Sequence, residues 1–112
     1  MQDLSGKAQA LQERLVRRYL ASLPEKREKI TACWKEVQSG DWNPDQVDRM
    51  KIEIHRLAGS AGSYGLEELG ALASRLENSL KSESGIPEHR LVIGRQTAEL
   101  LDALAAKAKE RT

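Results

Sequence analysis

The chain has 112 residues, 39% of them hydrophobic, which is enough to fill one helical core and not two, so a single domain over 1–112 is expected. Its 18 Lys and Arg against 17 Asp and Glu leave a net charge of +1, which offers no broad attraction to a nucleic-acid backbone or an anionic bilayer and argues against both as partners. The single Cys33 rules out an internal disulfide, fits a reducing, cytoplasmic compartment, and reads as a small buried hydrophobe within Ile30-Thr31-Ala32-Cys33-Trp34.

The start, Met1-Gln2-Asp3-Leu4-Ser5-Gly6-Lys7, lacks an apolar core of signal-peptide length, and nothing approaches the roughly 20 apolar residues of a spanning helix, so a soluble protein is expected. A first helix from about Leu4 to Ser22 carries Leu4, Ala8, Leu11, Leu15 and Tyr19 at helical spacing, and Leu23-Pro24 breaks it. A second runs from about Pro24 to Ser39 with Ile30, Cys33, Trp34 and Val37 inward, and Gly40 closes it. The third starts with Asn43 as cap, Pro44 in the first turn, Asp45 at the positive end of the dipole and Gln46 completing an approximate capping box. It ends within Gly59 to Gly65, and Val47, Met50, Ile54, Leu57 and Ala61 share a sector of roughly 80° that marks its core face. The fourth, from about Leu66, carries Leu66, Leu69, Ala73, Leu76 and Leu80 and runs out near Ser82-Glu83-Ser84-Gly85. The last starts at Pro87-Glu88 and carries Leu91, Ala98, Leu101, Leu104, Ala105 and Ala108. Short connections favour antiparallel neighbours, which predicts an all-α antiparallel four-helix bundle, with the first helix packed across it or extending one end.

On the third helix His55 lies roughly 120° from the centre of the core sector, on a ridge with Asp48, Lys51, Gly59 and Gly62, and is expected to be at least half exposed. The two glycines, with Ala58 and Ala61, keep its surroundings low, so a second protein can approach one ring nitrogen closely, as a phosphate-carrying histidine requires. Glu77, on the flank of the next helix's Leu stripe and in line with Gly70, Ala73 and Lys81, can reach across the gap that Gly70 leaves. A carboxylate there would hold Nδ1–H, free Nε2 as nucleophile and stabilise the cationic ring. Spacing alone favours the plainer reading, a solvated His55 and an exposed Glu77 that have no role.

The run Ile54-His55-Arg56-Leu57-Ala58-Gly59-Ser60-Ala61-Gly62-Ser63-Tyr64-Gly65, followed by Leu66, Leu69, Ala73, Leu76 and Glu77, resembles the signature of histidine-containing phosphotransfer (HPt) domains. The resemblance covers about Tyr19 to Ser82, including the Ser39-Gly40-Asp41-Trp42 turn that leads into the histidine helix. It implies a four-helix bundle whose exposed histidine, here His55, takes a phosphoryl group on Nε2 from a receiver-domain aspartyl phosphate and passes it to another receiver. It further implies that Glu77 contacts the other ring nitrogen and that Gly59 is the small residue one turn after the histidine. The family's usual Lys three residues after the histidine is Ala58 here, so phosphate neutralisation falls to Lys51, the preferred candidate, or Arg56, or else to the receiver's own cation and Mg²⁺.

Ile52 falls nearly opposite the core sector, and with Tyr64 and Leu66 it suggests a small apolar docking patch rimmed by Arg49, Lys51 and Arg56, suited to a partner with an acidic pocket. Glu53-Ile54-His55 sends its two ligand-type side chains to different faces, so no di-metal site is expected, and His89 reads as a surface residue. The glycines at 59, 62 and 65 are not followed by Gly-Lys-Ser/Thr, and no kinase motif is present, so a monomeric phosphocarrier is expected rather than an ATP-dependent enzyme. The alternative is a bundle that binds a receiver or another signalling protein without being phosphorylated.

Overall fold

The computed structural model describes residues 2–111, and side chains are described for 6–110. The elements are α1 (Gln2–Ala21), α2 (Leu23–Ser39), α3 (Pro44–Ser63), α4 (Glu67–Lys81) and α5 (Pro87–Ala108), followed by a 3₁₀ turn at Lys109–Arg111. Helices α2, α3, α4 and α5 pack as a closed ring in which each touches its two neighbours, the four-helix bundle that the spacing of apolar residues predicts.

Pro24 does not end the first helix by turning the chain. Ser22 keeps α-helical dihedrals, its N–H reaches the carbonyls of Arg18 and Tyr19, and its own carbonyl accepts from Lys26 N–H. Proline at the first or second helical position lacks only an N–H that would have no helical partner, so α2 follows α1 closely. With extents of 58 × 21 × 20 Å the molecule is long and narrow. Of the expected α1 stripe, Tyr19 is buried and Leu15 half-buried, whereas Ala8 and Leu11 are exposed and the Leu4 side chain lies outside the described residues. Among the described residues, α1 joins the core through Val16, Tyr19 and Leu20 in its C-terminal part. The helix extends one end of the bundle rather than crossing it.

Tyr19 is the pin at that junction. Its ring stacks on Tyr64 at 4.4 Å, its hydroxyl lies 2.6 Å from Ser60 Oγ, and Lys26 Nζ sits over the ring at 5.0 Å from its centroid. Burial is the main cause that raises its pKa above the ordinary tyrosine value.

The core stripes of α3 and α4 fall where periodicity put them. Val47, Met50, Ile54, Leu57 and Ala61 are buried on α3, and Leu69, Ala73, Leu76 and Leu80 on α4, with Leu66 only partly covered at the α4 N-cap. Two stripes differ. On α2 the buried residues are Leu23, Ile30 and Val37, while Cys33 and Trp34 sit on the flank, half-covered. Partial burial is still the largest cause that raises the Cys33 thiol pKa. On α5 the inward set is Ile93, Thr97, Leu100 and Leu104; Leu91 and Ala98, expected inside, are exposed, and Leu101, Ala105 and Ala108 are intermediate. Apolar residues on several faces of α5 hide its phase, and a threonine occupies a core position because its hydroxyl donates to Ile93 O at 2.8 Å within the helix.

Local chemistry fixes the helix ends. Asn43 Oδ1 accepts from Asp45 N at 2.9 Å, but Gln46 completes no capping box; its side chain lies over Gly40, where any Cβ would overlap Gln46 Oε1. The chain reversal before α3 is carried by Asp41 and Trp42, at φ 56° and 60°, rather than by Gly40. Helix α3 closes in a Schellman arrangement, with Gly65 at φ 77°, Leu66 N bonding Ala61 O at 2.9 Å and Gly65 N bonding Gly62 O at 3.1 Å.

The α4–α5 connection is held by Glu83, whose Oε1 accepts from Gly85 N at 2.6 Å and from Arg90 Nε at 2.8 Å. The Arg90 hydrogen bond is the main cause that lowers the Glu83 pKa below the ordinary 4.5. A carboxylate with a depressed folded-state pKa stabilises the fold above its unfolded value and loses that contribution as pH falls through the folded one. Chemical denaturation between neutral pH and pH values below 4.5 should therefore show an acid loss of stability that Glu83→Gln reduces.

Candidate functional site

His55 stands in the middle of α3 with 73% of its side chain exposed, one residue after the fully buried Ile54. Its Nδ1 lies 2.7 Å from Glu77 Oε2 on α4, and the Glu77 side chain is only 12% exposed. A carboxylate only accepts, so the shared proton belongs to Nδ1, and Nε2 carries a lone pair. Nε2 has no hydrogen-bond partner among the described residues.

The close approach of α3 and α4 makes this pair possible. A Cβ added at Gly70 would sit 3.4 Å from Ala58 O and 3.5 Å from Gly62 N, so the α3 backbone occupies the space that a larger residue would need. Glu77 thus reaches His55 because Gly70 draws the helices together, and not through an opening left at Gly70. Above the ring the reverse holds, since nothing lies within 4 Å of a Cβ built at Gly59 or Gly62. Those two glycines leave the surface bare on the C-terminal side of the imidazole.

The depression that contains His55 is lined by Asp48, Lys51, Ile52, Arg56, Glu77 and Lys81. Lys51 is 3.0 Å from Asp48 and Lys81 is 3.4 Å from Glu77 Oε2, the same oxygen that holds the imidazole. Lys81 is the residue that sequence reasoning passed over. Its signal was the spacing of four from Glu77, which places a cation one turn further along the same face. Arg56 lines the depression but its guanidinium lies 3.2 Å from Glu53 Oε1, a contact that draws its charge along α3 rather than to the ring.

The other proposed patch residues are dispersed. Ile52 is 50% exposed and borders the depression. Arg49 pairs with Glu36 on α2 at 3.4 Å, Tyr64 is stacked on Tyr19, and Leu66 packs partly against the core, so none of these three lines the depression. The sequence grouped them with Ile52 by nearness along the chain, whereas Glu36 on α2, Tyr19 on α1 and the core decide where the three side chains go.

A helical bundle with a solvent-facing imidazole hydrogen-bonded to a carboxylate of the neighbouring helix defines a class of module built around one oriented, accessible histidine. The family model of the Hpt domain matches residues 14–107, and the chain belongs to that family. No curated protein and no solved structure matches the chain significantly. Hpt domains are histidine phosphotransfer modules of phosphorelays, phosphocarriers that work with receiver domains. No helix among the described residues is long and apolar enough to cross a membrane.

The 2.7 Å pair fixes an observable tautomer. Nitrogen-15 spectra of the imidazole should show His55 as the Nδ1–H form in the parent chain. Glu77→Ala should revert it toward the tautomer mixture of a free imidazole; an unchanged spectrum would mean that Glu77 does not hold the ring.

Proposed function

We propose that the chain, as one monomeric domain in the cytoplasm, accepts a phosphoryl group on His55 from the aspartyl phosphate of a receiver and returns or passes it to a receiver. The observation that supports this reading is the exposed imidazole whose Nδ1 is held at 2.7 Å by Glu77.

The Nε2 lone pair attacks phosphorus as the bond from phosphorus to the aspartyl oxygen breaks, and that electron pair stays with the departing carboxylate. The N–P bond leaves the ring cationic, and the nearly buried Glu77 carboxylate, accepting from Nδ1–H, stabilises this charge as it develops. Transfer onward reverses the step. The chain carries phosphate without taking it from ATP, and the Mg²⁺ that such a transition state requires belongs to the receiver.

A phosphoryl group brings close to two negative charges, and Ala58 provides no cation. Lys51 and Lys81 flank the ring from α3 and α4 and take that role in our reading. Neither is locked in place, because Lys51 pairs with the exposed Asp48 and Lys81 is itself mostly exposed, and single pairs open to solvent are worth only about 0–1 kcal/mol. Arg56 is left in a supporting place, since Glu53 already engages it.

Incubation with a phosphorylated receiver and Mg²⁺ should give an acid-labile, base-stable label on this chain that is absent from His55→Gln. Lys51→Ala and Lys81→Ala should each slow transfer roughly tenfold in rapid-mixing experiments, the scale of one lost charge-assisted contact. Absence of label with every receiver tested would favour the other reading, a module that binds receivers without being phosphorylated, which the alanine at position 58 favours.

Docking follows from the same geometry in a narrower form than a four-residue patch. Ile52 is the apolar contact beside the ring, with Lys51 and Lys81 as its basic rim, while Arg49, Tyr64 and Leu66 lie away from it. Ile52→Asp should weaken receiver binding in calorimetry without lowering thermal stability, because the residue is half exposed and its charge would face the acidic pocket of the receiver. Unchanged affinity would remove Ile52 from the interface.

A further inference from the structure

On the side of the ring opposite the α3–α4 pair, helices α2 and α5 enclose an open groove of about 710 Å³. Its walls include Trp34, Trp42, Leu91, Gly94, Arg95 and Ala98. The two tryptophans are the only ones in the chain, and their rings meet edge to face at 5.6 Å. Leu91, at 63% exposure, is the most exposed of the large apolar side chains among the described residues.

Two features shape this surface. Trp42 is held at φ 60° directly after Asp41 at φ 56°, a backbone region that a bulky residue occupies only where its surroundings impose it. Here the surroundings do impose it: Trp42 N bonds Val37 O at 2.8 Å, and the guanidinium of Arg90, itself fixed by Glu83, lies 4.7 Å from the indole. The indole is thereby presented at the groove. Gly94, inside α5, weakens that helix relative to alanine, yet a Cβ there would meet only Trp34 Cζ2 at an ordinary 3.7 Å. Its effect in the fold is to deepen the groove floor.

We propose that this groove is a second docking site, distinct from the phosphotransfer face, and that its occupant is an acidic amphipathic helix of a partner protein. The lining carries two cations, Arg90 and Arg95, and no acidic residue, so the walls are complementary to Glu and Asp flanking an apolar stripe. Arg90 is already paired with Glu83, which leaves Arg95 as the cation available to the partner; it makes no ion pair among the described residues. A second copy of this chain would face the groove with another carrying the same two arginines. The α5 wall runs from Pro87 to Ala98, about three helical turns, with Trp34 and Gln38 of α2 facing it, a length that suits a short helix whose apolar residues recur at i, i+3, i+4 and i+7. Because His55 faces the other way, both sites can be filled at once, and a partner can be retained while the phosphoryl group is exchanged.

The test is selection of displayed peptides of about 15 residues, long enough at 1.5 Å per residue to span the Pro87–Ala98 wall, against the full chain with counter-selection against Gly94→Leu. Enriched sequences should be acidic with helically spaced apolar residues. A synthesised winner should shift the emission of Trp34 and Trp42 on binding. Arg95→Glu should weaken it roughly tenfold or more, and His55→Gln should leave it unchanged, which separates this site from the proposed phosphotransfer. Circular dichroism on Gly94→Leu and Arg95→Glu should show intact helices, with Arg95→Glu serving as the decisive variant if Gly94→Leu does not fold. No enrichment, enrichment of basic or unpatterned sequences, equal binding by Arg95→Glu, or a concentration-dependent dimer that fills the groove would each overturn the proposal.

Discussion

The 2.7 Å hydrogen bond between His55 Nδ1 and Glu77 Oε2 depends on how closely α3 and α4 can approach, and so the site depends on it too. The helices meet where Gly70 lies against the backbone of Ala58 and Gly62. Small residues at one level let the helices come together, and the carboxylate two turns further along α4 is thereby carried to the imidazole. The arrangement separates two requirements. Glu77 is withdrawn from water, which strengthens its hold on the ring, while the ring itself remains in water where a partner can reach it.

The electrostatics around that pair are spare. One carboxylate oxygen serves both His55 and Lys81, and Lys51 is tied only to the exposed Asp48. Cations held by weak exposed pairs can turn to an arriving anion at little cost, whereas a cation locked into a buried pair could not. Arg49 and Arg56 are also held by exposed pairs, but Glu36 and Glu53 direct them to the α2 side of α3, away from the ring.

The ring of four helices also gives the molecule two unlike sides. One carries the histidine, bare glycines and lysines; the other carries two tryptophans, an exposed leucine and arginines. Beyond the bundle, α1 continues the α2 end of the molecule and is fastened by the Tyr19–Tyr64 stack and the Tyr19–Ser60 contact. Residues 14–107 match the family model, so the first turns of α1 lie outside the shared module.

Much of this was legible in the order of residues. Helix limits were marked by Asn43-Pro44, Gly65 and Pro87, the core faces of α3 and α4 by strict periodicity, and the exposure of His55 by its angle to the stripe that begins at Val47. Angle and spacing are properties of one helix, and a single sequence carries them fully. Properties of two helices were not legible in the same way. Sequence could nominate Glu77 as a partner, but only the α3–α4 approach at Gly70 decided that it meets the ring. The phase of α5 was hidden because apolar residues lie all round it and the buried Thr97 satisfies its own hydroxyl, so packing against α2 and α4 chose Ile93 over Leu91. Tyr64, Arg49 and Leu66 left the proposed patch for the same physical reason: a long side chain goes where its best partner is, and that partner belongs to another part of the chain.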